Sequence, residues 1–133
     1  MKWGGVSIGN YTQIGEQVFI VTTNHNYENA DKIPYDHKTV HRPVIIDDFV
    51  WVGARCTILS GVHIEEGAII GAGSVVTKSI PKYAIVAGNP AKIIGWRNKE
   101  RYNQLKEEKK FFMTGKEQET EYIFNGLKSY IEF

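Results

Sequence analysis

The sequence predicts an all-β chain wound as a parallel β-helix. Three observations carry that expectation: aliphatic residues recur every six positions, glycines follow them, and the period breaks once for a polar excursion. From Ile46 the aliphatics fall at Val52, Ile58, Ile64, Ile70 and Val76, and upstream at Ile8, Ile14 and Ile20. A helix of 3.6 residues per turn would carry such residues around its axis, whereas short strands separated by turns stack them on one side. Three strand-and-turn units per coil place residues eighteen apart above one another, Ile46 under Ile64, Val52 under Ile70 and Ile58 under Val76. Successive rungs then sit about 4.8 Å apart.

Each element follows from this scheme. Gly9, Gly15, Gly53 and Gly71 stand next to the repeated aliphatic, where a backbone turning a corner runs close to its neighbour. Four residues after each repeated aliphatic comes a small or medium residue, among them Thr12, Val18, Val50, Cys56, Val62, Ala68, Ser74 and Ile80. No repeat buries its apolar side alone, so stability comes from stacking. Ile20 and Ile46 are out of step with a period of six, so a loop is inserted over about residues 24–43. Its stretch "NHNYENADKIPYDHKTVH" holds three of the four histidines. Beyond Val76, Pro81 closes the repeat, Ala84 to Ala87 reads as a last strand, and Gly88-Asn89-Pro90 as a turn. The charged stretch Asn98 to Lys110 reads as a solvated surface helix with Tyr102 and Leu105 on one side. Ile123, Phe124, Leu127, Tyr130 and Ile131, spaced by threes and fours, read as an amphipathic helix. The expected organisation is a β-helix domain over 1–97 and a helical extension over 98–133.

Composition narrows the function classes. Sixteen basic and 15 acidic residues give a net charge of +1, too weak a field to recruit nucleic acid or an anionic membrane. One cysteine allows no internal disulfide. No run approaches the roughly 18 apolar residues that span a bilayer, and the start has no apolar signal region. A cytoplasmic protein is the expectation.

Residues 45–94, "IIDDFVWVGARCTILSGVHIEEGAIIGAGSVVTKSIPKYAIVAGNPAKII", resemble the hexapeptide-repeat acyltransferases. The similarity is greatest to maltose and galactoside O-acetyltransferases, xenobiotic acetyltransferases and surface-polysaccharide acetyltransferases. The resemblance implies a left-handed coil, a homotrimer, and an acetyl-CoA site in the cleft between adjacent prisms. It also implies that His25, in "VTTNHNY", is the catalytic base. An alcohol hydroxyl is a weak nucleophile until its proton is taken, and imidazole is suited to that task near neutral pH. A backbone N–H, by resemblance that of Ala54 on the neighbouring coil, would stabilise the oxyanion.

By the same resemblance, Ala54, Ala72, Thr77, Lys78 and Lys92 are expected to contact CoA. Lys92 stands where several relatives carry arginine, keeping the charge without the forked geometry. Gly95 replaces a commonly basic residue, and Arg97 lies nearby. Asn24, Tyr27 and Tyr35 are expected to touch the acceptor, a saccharide or similar small alcohol. Trp51 is expected at the cleft wall or as a plain exposed aromatic, Cys56 in the core, and His63 pointing outward into solvent; His37 and His41 read as loop residues. Zinc is not expected, since the paired histidine spacing of the gamma-type carbonic anhydrases is missing. Two other readings remain beside O-acetyl transfer: a noncatalytic trimeric β-helix scaffold, and N-acetyl transfer to an amino sugar.

Overall fold

The computed structural model describes residues 5–112. The amphipathic segment expected near the C-terminus lies outside the described residues. The chain winds through three parallel sheets that form the faces of a prism. The first face stacks β1 (Val6–Ile8), β6 (Val44–Ile46) and β9 (His63–Ile64). The second stacks β2 (Gln13–Ile14), β7 (Trp51–Val52), β10 (Ile69–Ile70) and β12 (Ala84–Ala87). The third stacks β3 (Phe19–Ile20), β8 (Thr57–Ile58) and β11 (Val75–Val76).

The register is the one the period of six requires. Ile46 pairs with Ile64, Val52 with Ile70 and Ile58 with Val76. All six are at most 1% exposed, and they form one continuous core with Val50, Cys56, Val62 and Ala68. Each such aliphatic contributes about 1.5–3 kcal/mol by leaving water. Cys56 lies in this core, its thiol 3.1 Å from the Gly71 carbonyl. Ser74 occupies the same kind of inward position and remains satisfied there, donating to the Gly71 carbonyl and accepting from the Gly88 amide.

The corners explain the glycines. A Cβ on Gly53 would come within 2.6 Å of the Ala72 amide nitrogen in the rung above. Gly73 has open space around it, but its φ is +73°, and the corner positions Tyr11, Gln17, Phe49 and Arg55 share that left-handed conformation at φ 57°.

The structure departs from expectation in two places. The period of six closes at Pro81 and Ala84 to Ala87 forms β12 as expected, but β12 continues the second face in parallel with β10, pairing Ile70 with Val86, so the last coil is two residues shorter than the 18-residue coil below it. The chain then folds back as β13 (Lys92–Trp96), antiparallel to β12 with a bulge at Ile85/Val86, a strand that no period announced. The charged stretch forms the expected surface helix, α1 (Lys99–Glu107), with no residue buried and with Tyr102 and Leu105 half-buried on one side. Asn98 caps it by accepting from the Arg101 amide, and it lies along the corner between the first two faces. Tyr102 donates to Glu66 at 3.1 Å, Lys106 pairs with the same carboxylate at 2.9 Å, and the Arg97 Nε donates to the Gly67 carbonyl. Burial against the corner, reinforced by the Glu66 carboxylate, holds the Tyr102 phenol well above its ordinary value.

The two glycines make different demands. Gly53→Ala must spread two rungs and is expected to cost about 3 kcal/mol, whereas Gly73→Ala meets only the left-handed φ and is expected to cost about 1 kcal/mol. Urea denaturation of the two variants checks the order; equal losses would contradict the proposed closeness of the rungs.

Candidate functional site

Between β3 and β6 the chain leaves the prism. Ile8 pairs with Ile46, and Ile46 with Ile64, so the step between rungs is 38 residues across this excursion and 18 above it. The excursion is not wholly irregular, as its sequence suggested. Its base is a two-stranded antiparallel stem, β4 (Thr23–His25) against β5 (Thr39–His41), in which His25 faces Thr39 and Thr23 faces His41. The Arg42 amide donates to the Thr22 carbonyl below the stem, and the Asn26 amide to the Lys38 carbonyl above it.

His25 is thereby held clear of the prism and remains exposed. Its backbone amide donates to its neighbour, the Asn24 carboxamide, at 2.8 Å. Its imidazole lies flat on the Tyr35 ring, centroids 3.7 Å apart and planes within 9°. Stacking fixes the plane of an imidazole while leaving both ring nitrogens at its edge, where they can exchange protons. Tyr35, expected as an acceptor contact, is in place to hold the histidine.

Asp36 locks this arrangement. It is the buried residue of the excursion, accepting from the Lys38 amide and the Asn26 carboxamide, both at 2.9 Å. The Lys38 N–H is the main reason its carboxyl stays below the usual carboxylate range; burial opposes this, and the Asn26 amide reinforces it. Sequence reasoning passed over Asp36, since nothing in a polar loop shows which aspartate will turn inward. It also passed over Asn26, Glu28 and Arg42, which join Asn24, His25 and Tyr27 around a polar pocket of about 170 Å³.

The residues expected to hold CoA fall at two other places. Ala54 and Ala72 are exposed and stack one rung apart at the corner between the second and third faces, where the Gly73 amide donates to the Ala54 carbonyl. Lys92, opposite Ala87 at the start of β13, lies toward the top of that corner. Thr77 and Lys78 follow β11 and are exposed at the corner from which the excursion leaves two rungs below. None of the five lines the pocket of His25. Among the described residues, the Ala54 and Ala72 amides donate to no protein acceptor. A corner with free N–H groups and a lysine at its end fits a ligand that carries carbonyls and phosphates.

Trp51 is 56% exposed and lines a larger groove of about 610 Å³, between the second face and α1, with Ile69, Ile85 and Trp96. That groove is apart from His25. His63 does point outward, but its Nε2 lies 2.9 Å from Asp47 instead of in free solvent. No described helix is long and apolar enough to cross a membrane.

Comparison with known proteins agrees with this architecture. Residues 43–78 match the family model described as bacterial transferase hexapeptide (six repeats). The chain is 41% identical over 102 residues to WbbJ of Escherichia coli, which bears the name of an O-acetyl transferase of lipopolysaccharide biosynthesis; the match covers 71% of this chain and 52% of that protein. Among solved structures, a galactoside acetyltransferase in complex with coenzyme A superposes with a TM-score of 0.62 at 32% identity, over 73% of this chain and 48% of that one. A hexapeptide-repeat acetyltransferase of Vibrio cholerae, complexed with acetyl coenzyme A, gives a TM-score of 0.62 at 30% identity, over 68% and 49%. The chain carries the hexapeptide repeats of the bacterial transferases and resembles their acetyltransferases in sequence and fold. It spans about half the length of the relatives it matches.

The Asp36 carboxylate stabilises the excursion above its unfolded pKa, near 4, and that contribution is lost as pH falls through its lower folded value. Asp36→Ala is therefore expected to free the loop at neutral pH, and acid below pH about 4 to do so in the parent chain. Hydrogen exchange of the Asn26 and Lys38 amides reads both effects. Unchanged protection in the variant would remove Asp36 from its role as the lock.

Proposed function

We propose that this chain is an acetyl-CoA-dependent O-acetyltransferase that modifies a hydroxyl of a saccharide or similar small acceptor, built on a left-handed coil and working as a homotrimer. The observation that carries this reading is the presentation of His25: a stem lifts it off the prism, Tyr35 fixes its plane, and a polar pocket opens beside it. A histidine needed only for packing has no use for such support.

In this reading, His25 is the catalytic residue and takes the proton of the acceptor hydroxyl as its oxygen bonds to the thioester carbonyl carbon. The Ala54 amide of the neighbouring copy steadies the negative charge on the carbonyl oxygen. When the carbon–sulfur bond breaks, the imidazolium returns the proton to the departing sulfur, leaving an acetyl ester and free CoA. Ala72, Thr77, Lys78 and Lys92 hold the cosubstrate, the lysines by charge near its phosphates. Asn24 and Tyr27 border the acceptor. His25 and the Ala54–Ala72 corner lie at separate places within one copy, so in this reading a neighbouring copy completes the site, and the homotrimer supplies such seams. The 41% identity with WbbJ supports O-transfer to a saccharide, and a polar pocket with Asn24, Asn26 and Arg42 suits a polyhydroxylated ligand.

Release of free thiol from acetyl-CoA, screened over sugars and amino sugars, is expected with the parent chain and to fall about a thousandfold in His25→Ala. Co-assembly of His25→Ala chains with Ala72→Glu chains, each inactive alone, should recover part of the activity, because some seams then pair an intact imidazole with an intact corner. Failure of the mixture in a verified mixed trimer would refute a site shared between copies, and equal rates for the parent and His25→Ala would refute the base.

A further inference from the structure

Each strand of the second face turns one residue inward and the next outward. Val52, Ile70 and Val86 are the buried inward residues, so the outward row is Trp51, Ile69 and Ile85, one above another through the pairing of β7, β10 and β12. Trp96 extends the row at the top, where β13 lies beside β12. Three strand spacings make this apolar floor about 14 Å long. Outward positions on a sheet that meets water are ordinarily polar, yet Trp51 and Trp96 are both more than half exposed. A contiguous apolar strip of this kind marks a binding surface.

Along one side of the floor runs α1, which turns the strip into the groove of about 610 Å³, a volume typical of small-ligand sites. Its charges are of one sign: Arg97, Arg101, Lys106 and Lys110 line it, and no acidic side chain does. Two of the four are already matched, Lys106 by Glu66 and Lys110 by Glu108. Arg97 and Arg101 have no carboxylate partner among the described residues. The Arg97 Nε donates to the Gly67 carbonyl and the Arg101 Nη1 to the neutral Gln104 carboxamide, which leaves further N–H donors on both forks. Both stand at the N-terminal end of α1, where Asn98 also lines the groove and the helix dipole adds positive potential. Glu100, in the first turn, does not line the groove. The unmatched positive charge is thus gathered at one end of the floor, beside Trp96.

We propose that this groove binds a single-chain amphiphile with an anionic head, the carboxylate or phosphate seated between Arg97 and Arg101 and the hydrocarbon tail laid over Ile85 and Ile69 toward Trp51. Length, shape and charge agree on this occupant. A guanidinium fork offers paired donors to either kind of head. Between the two indoles the floor carries only isoleucines, so a tail lying there trades water for apolar surface along its whole length. A wholly polar ligand would leave that floor unfilled, and an uncharged hydrocarbon would leave both arginines unmatched. The groove shares no lining residue with the pocket of His25 and contains none of Ala54, Ala72, Thr77, Lys78 and Lys92, so the site stands apart from the transferase reading.

Titration calorimetry of the full chain with decanoate, decyl phosphate and uncharged decanol, each below the concentration at which it aggregates, tests the site. Saturable one-to-one binding of both anions is expected, with decanol about tenfold weaker. Arg101→Gln is expected to weaken the anions about tenfold and to leave decanol unchanged, a result that also shows the variant to be folded. Ile85→Gln is expected to weaken all three. Binding of one anion alone would support the site and assign its head. No saturable binding by the parent chain, equal affinity for decanol and the anions, anion binding indifferent to Arg101→Gln, displacement of the bound anion by CoA, or association with anionic vesicles but not with the single amphiphiles would each overturn the proposal.

Discussion

Stacking of inward aliphatics in strict register is the constraint on which the rest depends. Ile46 beneath Ile64, Val52 beneath Ile70 and Ile58 beneath Val76 leave an interior too narrow for anything but side chains of the same size, repeated. Their burial holds strands of only two or three residues that would not persist alone. The corner geometry follows from it. Because rungs must approach closely enough for these side chains to touch, the backbones at Gly53 and Ala72 come within contact distance, and one position per turn is driven to a left-handed φ. Aromatics occupy several of those positions on one corner, and Tyr11, Phe49 and Tyr83 form the track on which α1 lies.

The prism was legible in the sequence because a period of six states both the strand length and the partner of every inward residue. Ala84 to Ala87 was legible as a strand as well. The shortening of the last coil was not, since a two-residue loss looks the same as the end of the pattern until the β10–β12 pairing is seen. β13 was hidden for a related reason: its partners come from an antiparallel return, and its residues Lys92 to Trp96 are mostly exposed, so no alternation marks it. The docking of α1 depends on Glu66, 36 residues before Tyr102, and a contact of that range has no local signature.

The candidate site was legible only in part. His25 was singled out by the family resemblance, which implies a histidine after the threonines of "VTTNHNY", and it stands at the start of the break in register. The support beneath it could not. Asp36 joins Asn26 and Lys38 through bonds that depend on the three-dimensional closure of the loop, and Tyr35 meets His25 by its face, a choice among several tyrosines that composition does not make. The expected CoA residues fall at two corners because adjacency in a coil runs along the axis, residue to residue above it, and not around the perimeter.

The antiparallel stem at the base of the excursion has a wider consequence. Because β4 and β5 bring the outgoing and returning chain together, the coil receives the same two end points whatever length of polypeptide lies beyond them. The register of β6 over β1 is then indifferent to the contents of the loop. Residues at its tip can be exchanged, lengthened or shortened while the load of holding the molecule together stays with the prism. A scaffold of this kind lets molecular recognition vary as a free parameter, uncoupled from foldedness.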